Sequence, residues 1–186
     1  MPLNAANLLT LGRIVLVPVM IFLLLGEETG PLPAAAAVFG IAALTDVADG
    51  HIARTRNMIT KFGRLADPLA DKLLVGAALT TLVVIDRLAI WIALVVLLRE
   101  VGVTALRWHA ARRGVVIAVS ALGKAKTGVQ MTSIVMLMLV PDPGAAWVDA
   151  ILLGVVAITV ASGLQYGLAY MRRPAAPSAR PVSVTG

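Results

Sequence analysis

The chain has 186 residues, 59% of them hydrophobic and 14% charged, and its mean hydropathy of +0.91 lies outside the usual range of soluble globular domains. It contains no cysteine and two histidines, His51 and His109. This excludes disulfides and thiolate metal sites, argues against zinc, and leaves oxygen ligands for any Mg²⁺, Mn²⁺ or Ca²⁺. The formal net charge of +6 suits anionic lipid headgroups and phosphorylated substrates, and no nucleic-acid partner is expected.

A membrane span needs roughly 20 apolar residues, so the chain accommodates six helices with short connections and no sizeable soluble domain. The expected fold is therefore all-α: a polytopic membrane protein with six transmembrane helices over residues 1–171. Helix 1 covers 7–25, with a break or kink near Pro18. Lacking an initial basic region and a small-residue cleavage site, it reads as a retained helix rather than a signal peptide. Helix 2 covers 34–56, and its alanine-rich first half lets neighbouring helices approach closely. A loop with Asn57, Lys61 and Gly63 leads to helix 3 at 65–85, followed by helices at 88–112, 121–140 and 146–171. Trp91, Trp147 and Tyr170 fall near span ends, where amphipathic aromatics anchor. The tail, 172–186, is rich in Pro, Ala and Ser and is expected to be disordered.

Basic residues are retained on the cytoplasmic side of a bilayer. Arg54, Arg56, Lys61 and Arg64 flank the 2–3 connection; Arg107, Arg112, Arg113, Lys124 and Lys126 flank the 4–5 connection; Arg172, Arg173 and Arg180 follow helix 6. The other ends carry Glu27, Glu28, Asp86, Asp142 and Asp149 against Arg87 alone. Both termini are thus expected on the cytoplasmic face of a bacterial-type inner membrane, and the charged site with them.

The chemistry concentrates in residues 46–71, DVADGHIARTRNMITKFGRLADPLAD. A charge near the bilayer centre costs at least about 2.5 to 3.5 kcal/mol, so four aspartates together need compensation. Asp46 and Asp49 are three apart on helix 2, and Asp67 and Asp71 are four apart on helix 3, so each pair projects from one helical face. A short connection makes the helices antiparallel neighbours, and the four carboxylates then suit one or two hard divalent ions clamping a pyrophosphate. Gly50 lets a ligand approach the backbone, Ala53 keeps that face open, and Arg54 is placed to meet a phosphate.

The same residues carry a family resemblance. Asp46, Asp49, Gly50, Ala53, Arg54, Gly63, Asp67 and Asp71 fit the pattern D-x2-D-G-x2-A-R-x8-G-x3-D-x3-D, which resembles the signature of the CDP-alcohol phosphotransferases. The resemblance implies a six-helix membrane enzyme, commonly homodimeric, that moves a substituted phosphate from a CDP-linked donor to an alcohol and releases CMP. It further implies Mg²⁺ or Mn²⁺ on Asp46, Asp49, Asp67 and Asp71, with Asp71 also the catalytic base. Asp49, Gly50, Ala53, Arg54 and Gly63 look like the CDP-lipid site.

Arg99 and Arg107 on helix 4 and Lys124 and Lys126 on helix 5 form a second basic group. Such residues at helix ends commonly snorkel, but Arg99 lies inside helix 4 and needs a partner, Glu100 or a substrate phosphate. An acceptor that carries its own phosphate explains the group. The segments NLLTLGRI, REVGVTALR and GKAKT are similar to the family branch that joins CDP-diacylglycerol to glycerol 3-phosphate; inositol phosphate and phosphatidylglycerol are the competing acceptors. Arg13 meets either the donor or the interface, and His51 reads as polar lining. Lys72, rotated about 100° from Asp71 on a helix, is expected to pair with a neighbouring helix or a lipid phosphate. A cation-coupled transporter is the rival from another class. It would need carboxylates at the bilayer centre and has no use for Gly50 and Arg54.

Overall fold

The computed structural model describes the backbone of residues 5–26, 30–55, 61–115 and 120–172, and the side chains within those ranges except at 5–9, 46–55 and 61–68. Six helices make up most of it: α1 Ala5–Gly26, α2 Pro33–Thr55, α3 Lys61–Val84, α4 Ile90–Arg112, α5 Ala121–Leu139 and α6 Ala146–Met171. No strand occurs among the described residues. The expected helices are all present, with two differences. Helix α1 runs unbroken through Pro18. Helix α3 begins at Lys61, so Gly63 lies in its first turn and not in a loop. The first amides of a helix have no intrahelical partner, so a glycine there weakens the helix less than one in its interior. The expected disordered tail beyond Arg172 lies outside the described residues.

Helix α1 packs on both α2 and α3; α4 and α5 each pack on α6; contacts of α2 with α5 and of α3 with α4 and α5 join the two groups. The shared core contains Met20, Leu24, Phe39, Leu74, Leu82, Ile134, Leu137 and Met138, all essentially inaccessible. At one end of the bundle the Leu32 amide donates to the Met138 carbonyl at 2.6 Å. The Arg87 guanidinium, in the α3–α4 turn, donates to the carbonyls of Leu137 at 2.7 Å and Val140 at 3.0 Å, and to that of Gly30. Partial burial pulls its pKa below the usual guanidinium value, and the three carbonyls offset that desolvation. The turns after α1, α3 and α5 are thereby tied together. Arg87→Met is expected to destabilise the bundle by about 2 to 4 kcal/mol, since it orphans several carbonyls at once. Thermal unfolding in detergent checks this; a melting temperature within a degree of the parent would show that the clamp contributes little.

At the opposite end, Ser120 caps α5 by accepting from the Gly123 amide at 3.0 Å, while its own amide donates to the Tyr166 hydroxyl at 3.2 Å. The Arg113 guanidinium reaches the Tyr170 hydroxyl at 3.5 Å. The α4–α5 connection and the end of α6 therefore meet, as an up-and-down bundle requires.

Helix α6, of 26 residues, is long and apolar enough to cross a membrane; two shorter apolar helical stretches run over Thr10–Gly26 and Pro33–Thr45. Helices α3 and α4 are diluted by their own charges, among them Asp71, Lys72, Arg99, Glu100 and Arg107. Large apolar side chains face outward on several helices, including Phe22, Leu44, Leu98, Val101 and Leu164, each more than 60% exposed.

Candidate active site

Helix α3 buries Ala70, Leu74, Ala78 and Leu82 on its inward stripe, at the three- and four-residue spacing of a helix face. Asp71 and Val75 lie on the adjoining face, where α3 meets α4 and α5 around a cavity of about 140 Å³. Asp71, Lys72, Glu100, Lys126, Thr127 and Gln130 supply its polar lining, and Val75, Leu97, Val101 and Met131 the apolar part. On α5 the buried positions Gly123, Lys126, Gln130, Ser133 and Leu137 form one stripe, so Lys126 is carried inward by the same periodicity that buries the apolar residues beyond it. Lys124, two residues earlier and hence about 200° around the helix, is exposed.

The structure separates the four basic residues of the second group. Lys126 lines the cavity with Asp71 and pairs with Glu100. Arg99 does not line it. Its side chain turns to the other side of α4, into a groove shared with Gly102, Leu106, Val160 and Gly163. There the guanidinium lies 5.7 Å from the centroid of the Tyr166 ring and reaches Glu100 Oε1 at 3.2 Å. Of the two partners expected for Arg99, the structure shows Glu100. Arg107 is exposed further along α4. Lys72 lines the same cavity as Asp71 despite its rotation, and its ammonium donates to Thr104 Oγ1 on α4 at 2.6 Å. Lys72 thus meets a neighbouring helix, through a neutral hydroxyl and not a charge.

Asp46, Asp49, Gly50, Ala53 and Arg54 fall on the helical backbone of α2, and Gly63 and Asp67 on that of α3; His51 accompanies them on α2. Their side chains lie outside the described residues. Helix is continuous through both aspartate pairs, and α2 and α3 are in contact, as the spacing argument requires. Among the described residues, no three His, Cys, Asp or Glu side chains cluster as a metal site.

A second, more open groove of about 570 Å³ runs between α1 and α2, lined by Leu11, Gly12, Arg13, Val15, Leu16, Ala42 and Thr45. Arg13 is buried in the wall of this groove, 2% exposed, and Thr10, three residues before it on α1, is 1% exposed, so Arg13 does not snorkel in this structure. Thr45, at the groove's edge, directly precedes Asp46. His109 is exposed at the end of α4, edge-on to Tyr170 at 6.1 Å, and Arg112 stacks 3.5 Å over Trp108. Sequence reasoning missed Tyr166, Thr104 and Gln130. Nothing in their local sequence marks them; only packing brings them to the site.

The six-helix bundle and the spaced aspartates on two contacting helices define a class. The chain belongs to the CDP-alcohol phosphatidyltransferase family, whose model matches residues 3–163. Among its curated relatives is the CDP-diacylglycerol--glycerol-3-phosphate 3-phosphatidyltransferase of Bacillus subtilis (strain 168), 40% identical over 88% of this chain and 93% of that protein. The probable phosphatidylglycerophosphate synthase of Mycobacterium tuberculosis (strain H37Rv) is 42% identical over 88% of this chain and 79% of its own length. A CDP-diacylglycerol--glycerol-3-phosphate 3-phosphatidyltransferase of Shigella flexneri is 38% identical over 89% and 94%.

Proposed function

We propose that this chain is a phospholipid-biosynthetic enzyme that transfers the phosphatidyl group of CDP-diacylglycerol to glycerol 3-phosphate, giving phosphatidylglycerophosphate and CMP. The relatives' names carry the reaction class. The observation in the structure that carries the reading is the meeting of Asp71 with Lys126 in one cavity, a carboxylate beside a buried cation, which suits an alcohol bearing a phosphate.

In the proposed reaction the hydroxyl of glycerol 3-phosphate loses its proton to Asp71 and attacks the lipid-bearing phosphorus of the donor. The new oxygen–phosphorus bond forms as the bond to CMP breaks, so no covalent enzyme intermediate is needed. Asp71, Lys72 and Lys126 line the acceptor side of this site, with Arg107 and Lys124 exposed on the same helices for drawing the anion in. Gly50, Ala53, Arg54 and Gly63 belong to the CDP-lipid side, next to Asp49. The α1–α2 groove, apolar with Arg13 buried in its wall and Thr45, the residue before Asp46, at its edge, suits the diacylglycerol part of the donor.

Asp46, Asp49, Asp67 and Asp71 would hold Mg²⁺ or Mn²⁺. An all-carboxylate set on two contacting helices fits a hard divalent cation. Bound there, the metal would supply charge neutralisation for the pyrophosphate and for departing CMP.

The same reading takes all six helices as spans of a bacterial cytoplasmic membrane, with both termini and the site cytoplasmic and with a homodimer as the assembly. The outward apolar side chains support it, since they would face lipid rather than water. So does the sorting of charge between the two bundle ends.

The test is CMP release by detergent-purified protein given CDP-diacylglycerol and Mg²⁺, with glycerol 3-phosphate, inositol phosphate or phosphatidylglycerol supplied separately. Release with glycerol 3-phosphate alone is expected. Release only with another acceptor would keep the chemistry and replace the acceptor; no release with any would overturn the enzyme reading and reopen transport.

A further inference from the structure

Both ammonium groups of the cavity are held by a single turn of α4. Lys126 comes from α5 and pairs with Glu100; Lys72 comes from α3 and donates to Thr104. Glu100 and Thr104 are four residues apart, so they stand on one face of α4, one turn above the other. We propose that Glu100 and Thr104 are positioning residues that fix Lys126 and Lys72 as a two-ammonium seat for the acceptor's phosphate. This rests on the reading of the cavity as the acceptor site.

Three observations make the arrangement specific. The Lys126 side chain is 1% exposed, and a buried ammonium is stable only when paired. Glu100 supplies the pair across a helix interface. Glu100 is itself fixed from behind: Arg99 NH1 reaches the same carboxylate oxygen at 3.2 Å, and the Arg99 guanidinium is seated on Tyr166. Gly163 lies alongside that seat, where a Cβ would come to 3.4 Å from the Arg99 Cγ, at the limit of ordinary contact. Thr104 has its one proton committed to the Glu100 carbonyl oxygen at 2.7 Å, so its hydroxyl faces Lys72 as an acceptor. Each lysine ammonium has three N–H donors and spends one on α4. In the proposed seat the other donors turn to phosphate oxygens, and a phosphate monoester carrying between one and two negative charges near neutral pH is the anion the two ammonium groups would take, beside the Asp71 and Glu100 carboxylates.

Arg99 is outside the cavity lining and reaches it through Glu100, whose Oε1 meets both Arg99 NH1 and the Lys126 ammonium.

The experiment is steady-state kinetics on the full chain in detergent, varying glycerol 3-phosphate and CDP-diacylglycerol in turn, for Glu100→Gln, Glu100→Asp, Thr104→Val, Thr104→Ser, Lys72→Met and Lys126→Met. Glu100→Gln is expected to raise the acceptor KM about tenfold to a hundredfold, and Thr104→Val about three- to tenfold, as for loss of one charged hydrogen bond. The donor KM stays within about twofold for a change confined to the acceptor site. Glu100→Asp and Thr104→Ser, which restore the chemical group, recover most of the loss. An unchanged acceptor KM in Glu100→Gln and Thr104→Val, while the two lysine variants raise it, would overturn the positioning role and leave the acceptor site standing. Equal shifts in donor and acceptor KM would reduce these residues to general packing. If the lysine variants themselves leave the acceptor KM unchanged, the assignment of the cavity falls, and the positioning role with it. Thr104 is exposed, so its variants keep the test decisive even if Glu100→Gln fails to fold.

Discussion

Asp71→Asn is expected to lower turnover by at least about a hundredfold and as much as ten-thousandfold, the range for a general base, while CDP-diacylglycerol still binds. Asparagine keeps the size and hydrogen-bonding reach of the side chain but accepts no proton at neutral pH. Its neighbours Ala70 and Leu74 are buried in the packing of α3, so the helix has no reason to move. The loss should appear in kcat, since the hydroxyl still enters a cavity lined by Lys72 and Lys126. Equilibrium binding of CDP-diacylglycerol to the variant separates this outcome from misfolding. Turnover near that of the parent would remove Asp71 as the base and require another group on the cavity wall.

Chelation of divalent ions is expected to stop CMP release entirely, with recovery on adding Mg²⁺ or Mn²⁺. Four carboxylates within two contacting helices repel one another unless a cation is shared, so removing the ion should also lower the melting temperature of the detergent-solubilised protein. A ligand that binds the folded state at a hundred times its Kd stabilises by about 2.7 kcal/mol. Full activity in the presence of excess chelator, with an unmoved melting temperature, would show that the aspartates serve the reaction without metal.

Much of this molecule is legible in the residue string because long apolar helices announce themselves. Long apolar runs punctuated by GEETGPLP, VPDPG and similar turns set the number of helices and their ends to within a few residues, and the apolar run of α6 coincides with the helix Ala146–Met171. The start of α3 is less legible, because a glycine and two basic residues read as loop although in a first turn they fit a helix. The aspartate spacing in residues 46–71 carries the family resemblance, since helical periodicity within each pair is displayed directly by a sequence.

The sequence by itself thus determined the helical class, the carboxylate pairs and their family, because each depends on spacing within one helix or two joined by a short connection. Tertiary structure alone decided which cations meet Asp71. Arg107, Lys124 and Lys126 read alike as charges near helix ends, and Arg99 stands out only as interior to its helix; the rotation of α5 carries Lys126 inward and Lys124 out, and Arg99 packs toward α6 beside Tyr166, outside the cavity lining. The pairing of Lys72 with Thr104 and of Lys126 with Glu100 spans 32 and 26 residues. Contacts of that range depend on how helices are rotated and stacked against one another, and no local pattern in the chain encodes them.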